Sequence, residues 1–335
     1  MTDPVGLHVD SLRRYLRAAI PDAPEVDSAE LLSGGRSNLT YALTAGDQRW
    51  VLRRPPLGGL TPSAHDMSRE YRVVEALQDS GVPVARTIVL CEDSSVIGVP
   101  FAVASFVEGT VIRSESDLKT LSDIDIQAVS DALMGTLATL HAVPYERVGL
   151  GEFGRPEGYL GRQVRRWRDQ WQRVATRELN DIETLHTKLA DRVPRESGAS
   201  IVHGDFRIDN AILGDPGDIR AVVDWEMATL GDPLADLGLA LVYRDTAFAH
   251  VLADAAASTS ARMPSADAQA QRYAQVSGRD LSNLDFYLAL GYFKIAVIAE
   301  GIHARYVAGQ TVGDGYERVG GAVAELAAAG LRVLS

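Results

Sequence analysis

At 335 residues the chain is long enough for two ordinary domains with a cleft between them, which admits an enzyme. Its composition, 46% hydrophobic and 23% charged with 30 Gly and 14 Pro, is that of a globular protein and excludes a collagen-like or low-complexity chain. A net charge of -12 argues against nucleic acid or an anionic membrane as partner, because the long-range electrostatic term is repulsive; a phosphate-bearing ligand would need a local cation.

The chain starts with "MTDPVGLHVD", which lacks both a basic start and an apolar h-region, so no secretory signal is visible. The single cysteine, Cys91, permits no intrachain disulfide and reads as a small buried hydrophobe; a reducing, cytoplasmic setting is expected. "HVDSLRRYLRAAI" predicts a short amphipathic helix. "SAELLSGGRSNLTYALTAGDQRWVLRRPP" then alternates as an antiparallel meander with turns at its Gly-Gly and at Ala45 to Asp47. In "TPSAHDMSREYRVVEALQDSGVPV" a helix is expected, with Ser63 and Asp66 at capping-box spacing, Glu70 and Tyr71 inside, and Gly81 at its end. "ARTIVLCED" and "VPFAVASFVEG" add two strands, so residues from about 30 to 107 should form a five-stranded sheet with one helix inserted after the third strand.

From Ile112 onward helical periodicity dominates, through "DIDIQAVSDALMGTLATLHAV", "YLGRQVRRWRDQWQRVATRE", "DIETLHTKLADRV", "LADLGLALVYR", "ADAQAQRYAQVSG" and two long C-terminal segments. The apolar run "FYLALGYFKIAVIAEGIHARY" carries Lys294, Glu300, His303 and Arg305, too closely spaced for the roughly 18 to 20 uninterrupted apolar residues of a membrane span, so a buried helix is expected there. The fold class is α+β in two lobes: residues 1–107, small and β-rich, and residues 108–335, larger and mainly helical.

One acidic stretch interrupts the helical part. In "IVHGDFRIDNAIL" an apolar strand enters a loop at Gly204 and leaves through Ala211 to Leu213, so Asp205 and Asn210 stand at the two ends of a braced loop. "IRAVVDWE" is a further strand delivering Asp224 at its end. An Asn and an Asp offering hard oxygens suit Mg²⁺, which is held by one or two carboxylates together with substrate phosphates. The remaining carboxylate, Asp205, could take a proton from a hydroxyl, and together these are the parts of phosphoryl transfer. His203, Asp205 and Asn210 fit H-x-D-x-x-x-x-N, and Asp224 stands where the aspartate of D-F-G would, although the triplet is Asp224-Trp225-Glu226. Asp and Asn also close turns and cap helices; the joint spacing and strand context favour chemistry. Asp232 and Asp236, at or just inside a helix start, read as structural, and His203 as a loop-orienting residue. Asp209 and Glu226 receive no role.

With these motifs the chain resembles the aminoglycoside phosphotransferase family, which shares the protein-kinase-like fold, from about Leu31 to the C-terminal helices. "SGGRSN", "WVLRRPP", "HGDFRIDN" and "DWEMATLGDPLADLG" are similar to a branch that includes kinase-like domains fused to some mitochondrial acyl-CoA dehydrogenases. The resemblance implies Asp205 as catalytic base, Asn210 and Asp224 as Mg²⁺ ligands, and ATP or GTP as phosphate donor. It also implies Ser37 and Asn38 in the phosphate-covering loop, Arg53 in the place of the third-strand lysine with Glu70 as its helix partner, and Ser105 to Val107 offering backbone groups to a purine. Arg53 is a departure, because a planar guanidinium does not interchange with a point-charge ammonium. Arg207 stands where some kinases keep a γ-phosphate-binding lysine; a surface ion pair with Asp209 is the other reading.

The segment "GRQVRRWRDQWQRVATR" places Arg162, Arg165, Arg166, Arg168, Arg173 and Arg177 around Trp167 and Trp171. It reads as a charged face with tryptophans in the core, or as a dock for a phosphate-rich acceptor such as a coenzyme A thioester. No G-x-x-x-x-G-K-[ST], H-E-x-x-H or G-x-S-x-G occurs. The expected activity is transfer of the γ-phosphate to a hydroxyl of a small-molecule acceptor, possible acceptors being a hydroxyacyl-CoA or an aminoglycoside; the alternative is a nucleotide-binding pseudokinase.

Overall fold

The computed structural model describes residues 3–33, 38–57, 66–251, 257–311 and 315–335. In chain order the elements begin with α1 (Val9–Ala19), β1 (Val26–Ser33), β2 (Leu39–Ala45), β3 (Gln48–Arg54), α2 (Met67–Leu77), β4 (Thr87–Cys91) and β5 (Phe101–Ser105). There follow α3 (Glu115–Leu118), α4 (Asp123–Ala142), α5 (Tyr159–Val174), α6 (Asn180–Asp191), β6 (Ser200–Val202), β7 (Ala211–Leu213), β8 (Ile219–Val222) and β9 (Thr229–Gly231). The chain ends in α7 (Pro233–Val242), α8 (Ala266–Ser277), α9 (Leu284–Val307) and α10 (Val319–Val333).

The chain divides into two compact units, Met1–Glu108 with Arg220–Ala228, and Gly109–Ile219 with Thr229–Ser335. The first is built on a five-stranded antiparallel sheet in the order β1-β2-β3-β5-β4, with α2 inserted after β3 as the sequence pattern requires. Helix α1 buries Val9, Leu12 and Leu16, three positions of one stripe, against Tyr41, Leu43, Leu52 and Phe101 of the sheet. Cys91 is buried in the same core. Alternation along β3 separates two adjacent arginines: Arg54 turns towards the Gly6 carbonyl, Arg53 towards α2.

A division at 107/108 assigned residues 220–228 to the helical part, whereas they pack within the sheet-bearing unit. Val222 N–H donates to Pro83 O (2.8 Å), Arg220 Nη1 to Glu108 O (3.0 Å) and Arg69 Nη2 to Ala228 O (3.1 Å). The cap of α2 is Asp66, whose carboxylate accepts from Arg69 N–H at 3.0 Å. Ser63, its expected partner in a capping box, lies outside the described residues, as do Gly34, Gly35 and Ser37. The helix ends at Leu77, before Gly81, which takes a positive φ of 87° in the turn that follows.

In the second unit β6 and β9 pair antiparallel, Ile201 opposite Leu230, and this pairing fixes where the strand ends and the acidic loop begins. Helix α4 starts with a capping box of Ser122 and Asp125, and the unanticipated single-turn α3 with one of Ser114 and Asp117. Helix α5 stops at Val174 because Glu300, buried on α9, accepts from the Thr176 N–H and hydroxyl and from Arg177. By length and composition α9 could cross a membrane, but 67% of its most apolar window is buried inside the molecule. Helices α7 and α9 approach so closely at Gly238 that an added Cβ would lie 2.6 Å from Tyr287 O. Gly238→Ala should therefore cost about 1–3 kcal/mol through overpacking; an unchanged urea midpoint in that variant would contradict this account of the helix crossing.

Candidate active site

The loop after β6 is anchored from α7. Gly204, at a φ of 81°, turns the chain, and the Asp236 carboxylate accepts from His203 N–H (2.6 Å) and Gly204 N–H (2.8 Å). Asp236 thus braces this loop rather than the first turn of its own helix; Asp232 is the cap of α7, accepting from Leu234 N–H at 2.9 Å. His203 serves the loop as expected, its Nδ1 accepting from Asp205 N–H at 3.2 Å.

Asp205 is held ionised. Burial alone would raise its carboxyl, but the Arg207 guanidinium, a hydrogen bond donated by the Tyr243 hydroxyl, and the charge of Lys294 bring it below the usual carboxylate range. Arg207 Nε lies 3.2 Å from Asp205 Oδ1, and its Nη2 lies 3.2 Å from Asp209 Oδ2. The ion pair with Asp209 exists, but it is not a surface feature: the Arg207 side chain is 12% exposed and lies over the rings of Tyr243 and Phe248. Asn210 Nδ2 donates to Asp205 O (2.8 Å) and Oδ2 (3.1 Å), which leaves the Asn210 Oδ1 carbonyl as the end able to meet a cation.

The second group of residues lies in the sheet-bearing unit. Arg53 Nε is 3.0 Å from Glu70 Oε1, and Arg53 Nη2 donates to Asp224 Oδ1 at 2.9 Å. The Nε contact is an ion pair off the N–H direction rather than an aligned hydrogen bond. Asn38, 4% exposed, spreads its amide N–H groups between Glu70 Oε2 (3.3 Å) and Glu226 Oε2 (3.5 Å). Asp224 adopts the left-handed region at φ 67°, an uncommon conformation for a residue with a Cβ and one that clusters at functional sites. One guanidinium therefore touches two carboxylates and feels the charge of a third, Glu226. Burial pushes the Glu70 carboxyl up to about 7, Arg53 opposing and Asp224 and Glu226 adding repulsion.

Ser105 and Val107 were expected to offer backbone groups. Ser105 N–H is already donated to Arg86 O (2.8 Å) and Phe106 N–H to Arg49 O (3.0 Å), so Val107 retains the donor that the sheet does not take. The arginines of α5 are largely committed: Arg162 to the carbonyls of Arg155 and Glu157, Arg168 to Glu183, Arg173 to Gln170, and beyond the helix Arg177 to Glu300. Trp167 and Trp171 are buried, so the segment is a charged face over a core. Sequence reasoning missed Tyr243 and Lys294, which lie 38 and 90 residues from the loop positions they touch. The one available signal was a lone lysine inside an apolar helix.

The Glu70 carboxyl supplies a pH test. Its folded value lies above the ordinary one of 4.5, so the folded protein holds the extra proton, and stability present in acid is lost as pH rises towards about 7. Glu70→Gln should gain on the parent in urea midpoint between pH 5 and pH 8; a difference that does not change with pH would exclude a raised Glu70.

Residues 28–285 match the family model described as "Phosphotransferase enzyme family". The chain is 36% identical over 96% of its length to acyl-CoA dehydrogenase family member 11 of Gallus gallus, of which it covers 43%, and 35% identical to the Homo sapiens protein, of which it covers 39%. It thus spans less than half the length of the curated relatives it matches. A crystal structure of a candidate aminoglycoside phosphotransferase from Ralstonia eutropha superposes with a TM-score of 0.84 at 32% identity, covering 98% of both chains. The fold is also that of spectinomycin phosphotransferase APH(9)-Ia, solved with ADP and spectinomycin, at a TM-score of 0.64 and 12% identity over 97% of this chain and 99% of that one. With its two-lobe α+β architecture, the chain belongs to the phosphotransferase enzyme family and has the fold of the aminoglycoside phosphotransferases.

Proposed function

We propose that the chain is a kinase of small-molecule alcohols, using ATP or GTP as phosphate donor and working in the cytoplasm. The observation that carries this reading is the Asp205 carboxylate, kept ionised by Arg207 and Tyr243 on a loop whose Asn210 is tied to it. The acceptor hydroxyl gives its proton to Asp205 as its oxygen attacks the γ-phosphorus; the bond from that phosphorus to the bridging oxygen breaks and the nucleoside diphosphate leaves. Arg53, oriented by Glu70, faces the nucleotide phosphates, with Ser37 and Asn38 in the covering loop and the Val107 N–H donating to the base.

Asn210 and Asp224 are the proposed holders of Mg²⁺. Both leave a hard oxygen uncommitted once Asn210 Nδ2 is bound to Asp205 and Asp224 Oδ1 to Arg53, which is the donor chemistry Mg²⁺ takes. Among the described residues no group of three His, Cys, Asp or Glu could hold an ion, so nucleotide phosphates would complete its shell. When bound, the ion neutralises charge on the phosphates. Arg207 is assigned to setting the charge of Asp205.

The names of the animal relatives belong to proteins more than twice as long as this chain, and the proposal concerns only the stretch they share. A hydroxyacyl-CoA and an aminoglycoside are the two acceptor classes the resemblance raises. The commitment of Arg53 to two carboxylates favours one second reading, a nucleotide-binding module without transfer. A coupled ADP-release screen over hydroxylated acceptors separates the two. Asp205→Ala should lower turnover by about 10²–10⁴-fold with nucleotide affinity unchanged; full turnover in that variant refutes the assignment, and Mg²⁺-dependent binding without any turnover in the parent supports the second reading.

A further inference from the structure

The two oxygens of the Asp205 carboxylate are unequally occupied. Oδ1 accepts from the Tyr243 hydroxyl and lies 3.2 Å from Arg207 Nε. Among the described residues the donor to Oδ2 is Asn210 Nδ2, at 3.1 Å, and that amide also donates to Asp205 O at 2.8 Å. An ionised carboxylate has about four lone-pair sites, two on each oxygen. Oδ1 is therefore filled, and Oδ2 keeps one site. The Asp205 side chain is 26% exposed, whereas Tyr243 and Asn210, the residues that hold it, are 4% and 7% exposed. A molecule arriving from solvent thus meets the carboxylate before its supports.

The torsion that orients an aspartate carboxylate is broad, so donors rather than rotamer preference set its plane. Tyr243 is suited to set it because Tyr243 is itself held. Its ring packs against Phe248, with centroids 4.6 Å apart, and the Arg207 guanidinium lies over it at 5.3 Å. The next residue, Arg244, binds the carbonyls of Ser258, Met263 and Pro264, which ties the end of α7 to the segment before α8. Arg207 is steadied in turn by Asp209 Oδ2 at 3.2 Å. Burial and the charge of Asp205 raise the Tyr243 phenol well above its ordinary range, so it stays a donor. Two other groups of this region face Asp205 without touching its carboxylate. Lys294 Nζ donates to Gly204 O at 2.9 Å, and His203 Nδ1 accepts from Asp205 N–H at 3.2 Å.

We infer that Tyr243 is a positioning residue for the proposed base: with Arg207 it saturates Oδ1, fixes the carboxylate plane, and leaves Oδ2 as the atom that takes the acceptor proton. The inference rests on the kinase reading for the source of that proton and adds which oxygen receives it. As the acceptor O–H bond breaks an Oδ2–H bond forms, and Tyr243 keeps its own proton throughout. Its effect passes wholly through Asp205. The competing role is that of a buried phenol taking whatever partner the fold offers. Removing the hydroxyl would then cost stability and leave turnover per folded molecule as it was.

The test follows ADP release from MgATP, with water as the acceptor, in three intact chains: the parent, Tyr243→Phe, which removes the hydroxyl and keeps the ring, and Tyr243→3-fluorotyrosine, which keeps both. In Tyr243→Phe kcat should fall about tenfold with the nucleotide KM within about twofold of the parent, the split expected when an interaction serves the chemical step and not binding. The fluorinated chain should return to within about twofold of the parent in kcat. A measurement on the parent guards against a variant that misfolds: a slowly exchanging tyrosine hydroxyl proton should appear far downfield in the proton spectrum and vanish in Asp205→Ala. An unchanged kcat in Tyr243→Phe, a loss confined to KM, a loss that fluorotyrosine does not restore, or the absence of that hydroxyl proton each overturn the inference. Full turnover in Asp205→Ala fails the kinase reading, whereas full turnover in Tyr243→Phe alone fails this one.

Discussion

A single buried carboxylate, Asp236, governs the geometry of the loop that carries Asp205. An ionised carboxylate can only accept, so His141 must donate to it from Nε2 (3.3 Å), and its Nδ1 must then accept from the Tyr273 hydroxyl (2.7 Å). Burial lowers the His141 pKa, which keeps the ring neutral and able to play both parts. The same carboxylate is held below its usual range, against burial, by the hydrogen bond from His141 and by the loop's backbone donor at His203. Fixed donors thus converge on Asp236, from Tyr273 of α8 through His141 of α4 on one side and from the His203 and Gly204 N–H groups on the other. Losing one member would strand buried partners at about 1–3 kcal/mol each, so the arrangement is close to all-or-none.

The two clusters of acids differ in how many cations they are given. Asp205 has Arg207 alongside and Lys294 nearby, and it stays charged in a buried site. Glu70 shares the Arg53 guanidinium with Asp224 and Glu226, and it is driven the other way. The same residue chemistry thus yields one carboxylate kept ionised and another that readily holds a proton. The local ratio of charges, rather than the overall balance of -12, sets which is which.

Much of this was legible in the sequence because it is local. The strand alternation, the helix after the third strand, the loop between two apolar strands and the joint spacing of Asp205, Asn210 and Asp224 are all written within short windows. Asp236 was recognised as structural, but its spacing could not say that it serves a loop 32 or 33 residues earlier in the chain. Tyr243 closes α7 and Lys294 sits on α9, helices whose periodicity reads as core, and only tertiary packing turns these two side chains towards the loop. For the arginine-rich helix the sequence offered a charged face over buried tryptophans, which the structure shows, beside a phosphate dock, because the partners that commit its arginines, backbone carbonyls and the distant Glu300, have no signature in sequence. The assignment of 220–228 failed for a related reason: chain order does not state which compact unit a returning segment will pack in.

That returning segment bears on how the protein is made. Arg53 and Asp224 are separated by 171 positions, yet they share one ion pair. At ribosomal rates of about 5–20 residues per second, Arg53 is synthesised roughly ten to thirty seconds before the carboxylates that complete its charge balance. During that interval Glu70 is the only acid of the trio available to Arg53. The amino-terminal unit is therefore first in the chain but cannot be first to finish, and it reaches its final electrostatic state only after the loop bearing Asp205 has also been translated.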